Sequence, residues 1–395
     1  MNSSWQRMRK TVFSGILALL VVGLLGACTP KATATPERTP MVIHLSQSPV
    51  GQEPTVISTA NVQATTPSPT ATIAARATPE PGALLAPDVT PEPPPIFQTK
   101  DILRVAKPVT YIDDVCEYLR LRWDPNNAEP GTIIVPVMYH RVKHAQGERG
   151  VDQTYFKQTL REAHRLGYET ITAQQAADFL EHNAKIPSRS LMLFVDDRRV
   201  SVIQKDFMPF LKKYDWTVIS AWIISNSDNI PGLWDRIEAL SATGHVDVQS
   251  HSLRHVYIVP GTPKKTIQEE IYGPIPYFEK HFGYRPIAYI WPGGNYTRYA
   301  VRTARKAGYR IGFTIFPNGP VMFNWVPLQE ADRKIDDPLL TLPRYHANAI
   351  KDKLSLAAEM GKQARQQAID HYPQEAAWYR LHCRGVLPPP AFAQQ

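Results

Sequence analysis

The sequence is poor in cysteine and has no apolar run long enough to span a membrane comfortably. Three cysteines in 395 residues exclude a small scaffold held together by many disulfides. The one long apolar run, 12–26, is shorter than the roughly 20 residues of a membrane-spanning helix. It follows three basic residues between positions 7 and 10, and this order is typical of a signal peptide.

Signals of nucleic-acid binding and of repeat architecture are also missing. We find no arginine-rich stripe and no zinc-finger spacing, and an exported protein has little access to nucleic acid. No internal repeat of fixed period occurs, which excludes a solenoid. The net charge is +8, falling to about +5 without the basic leader, and this value is compatible with anionic envelope polymers.

The apolar run ends at residues 24–28, LLGAC. This stretch resembles the bacterial lipobox, in which small residues precede a cysteine that is lipidated. The resemblance implies a lipoprotein signal peptide over residues 1–28 and an exported protein anchored to the cell membrane through Cys28, at the cell surface or in the periplasm. An uncleaved anchor, or an incidental cysteine, is the alternative. The remaining Cys116 and Cys383 either pair in an oxidising compartment or stay as two buried thiols.

Composition divides the rest of the chain. Residues 29–99 are rich in Pro, Thr and Ala and cannot bury much apolar surface, so we expect a disordered linker. Residues 100–131 form a short extension with a helix at 111–123, which Thr110 and Asp113 would begin as a capping box. At the other end, residues 348–395 are expected to form a C-terminal helix, near 351–371, and a tail.

Between positions 132 and 347, strand-like and helix-like patterns alternate. Buried apolar strands that alternate with helices predict an α/β fold, with a parallel sheet or barrel covered by helices. In such folds the chemistry collects at the carboxyl ends of the strands. The strand segments expected are 133–139, 168–171, 190–195, 217–223, 246–249, 287–291 and 311–315, and the helix segments are 155–166, 173–182, 200–214, 233–242, 263–271 and 297–307.

Adjacent carboxylates follow one of these strands. Asp196 and Asp197 come directly after the run LMLFV. Two neighbouring carboxylates repel each other unless a cation or a shared proton neutralises them, which favours a metal site. A solvated turn in which one Asp caps the next helix is the alternative.

Two histidines follow another strand. His251 and His255 are four residues apart, which on a helical turn places both on one face, within reach of a single divalent ion. A carboxylate would complete a facial triad.

Two further strand ends carry candidate groups. The strand before Trp291 runs into a Pro-Gly-Gly turn, 292–294, whose backbone can approach a ligand closely and offer N–H groups to an oxyanion. The strand-like run 342–346, LPRYH, ends in His346.

The order Asp-Asp, His-Ser-x-x-His and Pro-Gly on a βα repeat resembles the polysaccharide deacetylase family, carbohydrate esterase family four. The run 134–142 is similar to the first strand of the envelope-associated branch, and 308–314 to the fourth motif. The resemblance covers about 132–347 and implies an incomplete (β/α) barrel.

The resemblance also implies roles. Asp196 corresponds to the general base, Asp197, His251 and His255 to the ligands of a divalent metal, most often Zn²⁺, and the Gly293 N–H to the oxyanion position. The metal would polarise the acetamide carbonyl and activate water, and His346, or secondarily His140, would protonate the departing amine.

Two positions depart from the family pattern. Arg198 replaces the small residue that usually follows the metal-binding aspartate, and it would block the cleft, pair with Asp196 or bind an anionic substrate. Ile290 stands where many members have an arginine that orients the base, so Arg285 or Arg198 would have to substitute.

Aromatic residues near the motifs are candidate sugar-stacking platforms or core residues. Trp291 and Tyr257 are the foremost, and Trp222 and Trp325 are further examples. We therefore expect Trp291, Arg198, His140 and Tyr257 to contact substrate.

The sequence thus predicts a lipid-anchored, metal-dependent deacetylase of an N-acetylated envelope or extracellular polysaccharide. A non-catalytic glycan-binding protein on the same fold, inactivated through Arg198, is the alternative. A hydrolase of a non-sugar amide is a third possibility.

Overall fold

The computed structural model describes residues 92–335 and 337–390. The signal peptide, Cys28 and most of the expected linker lie outside this range. Strands and helices alternate along most of it. The strands are β1 (Lys107–Val109), β2 (Ile133–Tyr139), β3 (Val142–Lys143), β4 (Val151–Asp152), β5 (Glu169–Thr170), β6 (Arg189–Asp196), β7 (Val218–Trp222), β8 (Val246–Ser250), β9 (Ala288–Ile290), β10 (Ile311–Phe313), β11 (Val321–Met322), β12 (Val326–Leu328) and β13 (Tyr345–His346).

The helices fall between the strands, as the alternating pattern predicts. Helix 173–182 has the predicted bounds, with a capping box of Thr172 and Gln175. The expected helix 200–214 contains a π-helical segment, Ile203–Phe207. The helices are α1 (Val115–Trp123), α2 (Gln153–Arg165), α3 (Ala173–His182), α4 (Val200–Val202), α5 (Met208–Tyr214), α6 (Leu233–Ser241), α7 (Lys264–Tyr272), α8 (Ile275–Phe282), α9 (Arg298–Lys306), α10 (Glu330–Arg333) and α11 (Lys351–His382).

The central sheet is a curled, mostly parallel sheet. Its strand order is β10-β9-β8-β7-β6-β2-β11, with β13 also paired to β2 and β5 to β6. Of these pairings, only that of β11 with β2 is antiparallel. The fold is therefore the α/β, incomplete-barrel type that the sequence predicts.

Alternate residues of each strand divide between two apolar clusters. Ile133 and Leu191 belong to the cluster packed against the covering helices. Ile134 and Phe194 belong to the second cluster, which also contains Ala176 and Phe179 of helix α3. Since side chains of successive strand residues point to opposite faces, this division fixes the register of the strands.

The N-terminal extension and the C-terminal helix are joined. Cys116 in α1 and Cys383, which follows α11, form a disulfide. Helix α1 begins at Val115, with Asp114 accepting hydrogen bonds from two backbone N–H groups, so the expected start at Thr110 is wrong. Helix α11 is longer than expected and passes through Pro373. No helix of the described residues is both long and apolar enough to cross a membrane.

Candidate active site

The candidate catalytic residues lie at one edge of the sheet. Strand β6 ends at Asp196, β8 ends one residue before His251, and β9 ends one residue before Trp291. Strand β2 ends just before His140. Because these strands are parallel, their carboxyl ends meet at the same edge, where α/β folds place their chemistry.

Three side chains form a potential metal-binding group. One ligand atom from each of Asp197, His251 and His255 lies within 4.8 Å of the others. The Nε2 atoms of the two histidines are 3.1 Å apart. Asp197 Oδ1 lies 4.0 Å from His251 Nε2 and 3.9 Å from His255 Nε2.

The hydrogen bonds of His251 fix its tautomer. Its Nδ1 lies 2.8 Å from the carbonyl oxygen of Ile290, which can only accept, so Nδ1 carries the proton. Nε2 is then a free lone pair facing His255 and Asp197. Burial lowers the pKa of His251 to about 4, against the opposing effect of Asp196, so the ring is neutral and able to bind a metal at ordinary pH.

Left-handed backbone conformations position this group. Asp197 has φ 66°, Ser252 φ 71° and His255 φ 64°. Residues 251–259 are therefore a loop, and the expected helical turn between the histidines is wrong. Such conformations in non-glycine residues are unfavourable and cluster at functional sites.

The donor set fits a divalent metal ion. Two imidazole nitrogens and one carboxylate oxygen converge, the combination found in facial triads with positions left open. The second carboxylate oxygen of Asp197 accepts a hydrogen bond from Arg199 at 3.0 Å, which orients the carboxylate.

Asp196 is held separately, by an arginine that was not among the residues predicted from the sequence. Arg344 donates from Nη1 to Oδ1 at 2.7 Å and from Nη2 to Oδ2 at 3.0 Å. Burial alone would raise the pKa of Asp196, but the charge of Arg344 outweighs this effect and lowers the pKa below its ordinary value. The carboxylate therefore stays ionised.

Arg344 reaches Asp196 because its segment nearly closes the barrel. Leu342 forms a bridge to Phe313 of β10, and three residues later β13 begins and pairs with β2. The Nε of Arg344 donates to the carbonyl oxygen of Thr314 at 2.7 Å. The sequence does indicate that Arg344 faces the site. In the extended segment LPRYH, alternate residues share a face, so Arg344 lies on the same face as the candidate residue His346.

The two arginines proposed from sequence to orient Asp196 do not do so. Arg198 donates to the carbonyl oxygen of Ser225. Arg285 has its side chain 59% exposed and lies 3.6 Å from Glu279. The expectation that Arg198 or Arg285 pairs with Asp196 is wrong, because Arg344 occupies both carboxylate oxygens.

Of the two candidate proton donors, His346 lies on β13 and His140 directly follows the neighbouring strand β2. His346 pairs in register with Met138 of β2, two residues before His140. Partial burial lowers the pKa of His346, and the positive charges of Arg344 and His140 add to the effect. Tyr139, directly before His140, pairs in register with Val195, directly before Asp196, so His140 lies next to the candidate base.

The Pro-Gly-Gly turn adjoins the loop of the histidines. Gly293 has φ 61°, and a Cβ there would lie 3.1 Å from the ring of Tyr257. We find no acceptor for the Gly293 N–H among the described residues. Tyr257 is 55% exposed, and its ring centroid is 5.5 Å from that of His255, so it remains a candidate for sugar stacking.

The tryptophans are core residues. Trp291 is fully buried and donates from Nε1 to the carbonyl oxygen of Leu340, so its expected contact with substrate is wrong. Trp222 and Trp325 are also buried.

Comparison with known proteins gives one family. Residues 183–312 match the model of a family described as polysaccharide deacetylase. The protein YxkH of Bacillus subtilis (strain 168), provisionally named a polysaccharide deacetylase, is 25% identical over 181 residues, which are 46% of this chain. The match spans 64% of that relative's length.

Two solved structures are also similar to this chain. The Streptococcus pyogenes deacetylase PplD, solved in complex with acetate, has 19% identity and a TM-score of 0.48, with 57% of this chain and 97% of that chain covered. IcaB from Ammonifex degensii has 19% identity and a TM-score of 0.47, with 59% and 98% covered.

Proposed function

This chain belongs to the polysaccharide deacetylase family through residues 183–312, and on that premise we propose that it is a metal-dependent hydrolase removing N-acetyl groups from an envelope or extracellular polysaccharide. The observation that carries the proposal is the pair of adjacent aspartates with separate partners. Asp196 is bound by Arg344, whereas Asp197 faces His251 and His255. Because the two aspartates have different partners, Asp196 would act as the base while Asp197 binds the metal.

The metal site would consist of Asp197, His251 and His255, with zinc the ion proposed. A bound divalent ion would supply Lewis-acid polarisation of the acetamide carbonyl and acidification of water. Arg199 orients Asp197, and the Ile290 carbonyl orients His251.

The protein's own groups would move the protons. Asp196, ionised and held by Arg344, accepts a proton from the attacking water. The Gly293 N–H donates to the oxyanion that forms on the acetyl group. His346, with His140 as the second candidate, donates a proton to the amine as the carbon–nitrogen bond breaks, so that the products are acetate and a free amino sugar.

The non-catalytic alternative assumes that Arg198 inactivates the site, and the position of Arg198 does not support this assumption. The Arg198 guanidinium is turned to the carbonyl oxygen of Ser225, and it makes no ion pair with Asp196. Activity measurements discriminate between the two functions.

We also propose that the protein is exported and lipid-anchored at Cys28. The support is the order of basic, apolar and small residues before that cysteine. The disulfide between Cys116 and Cys383 agrees with an oxidising compartment.

The function is tested by measuring bound metal and acetate release on the same preparations. With an N-acetylglucosamine hexamer, the wild-type protein should release acetate in the presence of Zn²⁺ and lose this activity with a chelator. Asp196→Asn should keep the metal and lose at least about 100-fold in kcat. Asp197→Ala should lose both the metal and the activity.

Asp215→Asn is the matched control, because Asp215 is exposed and its left-handed backbone suits asparagine. It should leave metal and rate unchanged. Bound metal without acetate release from any glycan would favour the binding protein. A wild-type protein that takes up no metal would contradict both functions as stated.

A further inference from the structure

A cleft opens beside the candidate active site. It has a volume of about 760 Å³ and is formed by segments 140–150 and 199–206, which follow β2 and β6. We call it the basic cleft. It lies at the same edge of the sheet as the aspartates, since both segments begin at the carboxyl ends of central strands.

Cations outnumber acids along the basic cleft. Its lining includes Arg141, Arg149, Arg199 and Lys205, against two carboxylates. Both carboxylates already have partners in the same segments. Glu148 accepts hydrogen bonds from the backbone N–H groups of His144 and Ala145, and Asp206 lies 3.2 Å from His144 Nε2.

Two of the cations are exposed arginines. Among the described residues, we find no ion pair and no side-chain hydrogen bond for Arg141 or Arg149, and both are exposed. Arginine guanidinium groups bind carboxylates and phosphates with paired hydrogen bonds, and two of them facing one cleft attract an anion.

The loop that carries these arginines is closed at its base. The N–H of Val151 donates to the carbonyl oxygen of Arg141 at 3.0 Å, next to the pairing of β3 with β4. Gly150 has φ 135°, and a Cβ there would lie 2.5 Å from that carbonyl oxygen, so only glycine permits this approach. Arg141 and Arg149 are thus held at the two ends of one closed loop.

The opposite wall of the basic cleft is the π-helical segment. Lys205 lies within Ile203–Phe207, where the widened turn interrupts the helix after the aspartates. Such π-bulges are frequent at functional sites.

The basic cleft is continuous with the candidate active site. His140 and Arg199 line it, while Arg199 also donates to Asp197 at 3.0 Å. His140 follows Tyr139, which pairs with Val195, the residue before Asp196. A polymer whose acetamide lay at Asp197 would therefore run into the basic cleft with its neighbouring residues.

We infer that the basic cleft binds a carboxylate or phosphate group on the polysaccharide being deacetylated, so that the substrate is an anionic N-acetylated glycan. This inference rests on the proposed deacetylase function. Arg141 and Arg149 bind the anionic group, and their contribution falls with ionic strength because the cleft is open to solvent.

The test compares three hexasaccharide-sized probes of different charge. These are a neutral N-acetylglucosamine hexamer, a hyaluronan hexasaccharide with carboxylates, and an oligomer of N-acetylglucosamine 1-phosphate. The measured quantity is the ratio of kcat/KM for each charged probe to kcat/KM for the neutral probe. We expect a ratio above one for the wild-type protein with at least one charged probe, and the preferred probe identifies carboxylate or phosphate.

The double variant Arg141→Ala with Arg149→Ala should lower this ratio about three- to tenfold, as expected for solvent-exposed charge contacts. Raising the salt concentration should lower the wild-type ratio in the same direction. Arg141→Lys with Arg149→Lys should retain most of the preference. Arg161→Ala with Arg302→Ala removes two exposed arginines outside the cleft and should leave the ratio unchanged.

A wild-type ratio of one or less for both charged probes, or a ratio unchanged in the Arg141 and Arg149 double variant, would overturn the inference while leaving the deacetylase function intact. If the wild-type protein released no acetate from any probe, the proposed function would fail. Calorimetric binding of the same probes then tests the anion-binding role of the basic cleft separately. Weaker binding of the charged probes to the double variant than to the wild-type protein would support this role, and equal binding would overturn it.

Discussion

Arg344 and Asp196 form a buried, bidentate ion pair, with Nη1–Oδ1 and Nη2–Oδ2 distances of 2.7 and 3.0 Å. Neither side chain is more than 2% exposed. The pair connects the end of β6 to the segment that nearly closes the barrel, so it links the candidate base to the completion of the fold.

Removal of the arginine should destabilise the protein and change the acid limb of its pH profile. Arg344→Met leaves the Asp196 carboxylate buried without a partner, which should lower the free energy of unfolding by about 3–5 kcal/mol. The pKa of Asp196 should rise, so activity should be lost at higher pH than in the wild-type protein. Urea unfolding and a kcat/KM–pH profile measure the two effects.

Arg344→Lys keeps the charge and gives a second variant if Arg344→Met does not fold. Its acid limb should lie between those of the wild-type protein and Arg344→Met. Arg285→Met, which removes an exposed arginine, is the control and should change stability by less than about 1 kcal/mol. An unchanged acid limb in both Arg344 variants would contradict the role given to this pair.

The buried histidine should make the metal-free protein less stable in mild acid. His251 has a folded pKa of about 4, below the ordinary 6.5, so between these values the unfolded chain binds a proton that the folded chain does not. The free energy of unfolding should therefore fall as the pH drops from 6.5 towards 4, by about 2 kcal/mol at pH 5 from this residue. Urea unfolding at pH 7.5 and pH 5 with a chelator measures it.

His251→Gln should remove this part of the pH dependence. His182→Gln, which removes a histidine whose side chain is 68% exposed, is the matched control. Equal losses of stability between the two pH values in the wild-type protein and His251→Gln would show that His251 is not the group responsible.

Two glycines with positive φ allow a matched test of the turn. Gly293→Ala would place a Cβ 2.8 Å from Asn295 Nδ2 and 3.1 Å from the ring of Tyr257, whereas a Cβ at Gly308 would have no atom within 4 Å. Both variants should lose about 1 kcal/mol of stability because alanine disfavours the left-handed region.

Only Gly293→Ala should also lower acetate release, since the displaced Tyr257 lies next to His255. Thermal unfolding and kcat/KM with the neutral hexamer separate the two effects. Similar rates in the two variants would argue against a contribution of the turn to the site.

Reduction of the disulfide should lower stability. The bridge between Cys116 and Cys383 closes a loop with a sequence separation of 267 residues, which restricts the unfolded chain strongly. We expect a loss of about 4–5 kcal/mol in the free energy of unfolding, with acetate release retained while the protein stays folded. Urea unfolding with and without a phosphine reductant measures the loss.

The variant Cys116→Ser with Cys383→Ser should behave like the reduced wild-type protein and should not respond to the reductant. A wild-type protein whose unfolding curve is the same in both conditions would not contain this bridge in solution.

Much of the fold could be predicted because its signals are local. The apolar runs of β2 and β6 and the capping box of α3 are properties of short segments, and the structure has these elements close to their predicted bounds. Helix α8 and the antiparallel strand β11 were not predicted, since short elements are specified mainly by the surfaces on which they pack.

The candidate site, like the fold, could be predicted in part from local signals. The sequence by itself determined which residues could form a metal site, because Asp197, His251 and His255 each follow a strand whose carboxyl end meets the others at one edge of a parallel sheet. It also determined the family resemblance, through the order of its motifs. It did not determine which side chain neutralises Asp196.

Only the tertiary structure decided that partner. Arg344 is 148 residues from Asp196 in sequence, and it reaches the carboxylate because the segment around it lies between β10 and β2. Arg198, two residues from Asp196, faces Ser225 instead. Proximity in sequence favoured the wrong arginine, because the partner of a buried charge is selected by which segments the closing sheet brings together, and that depends on the packing of the whole domain.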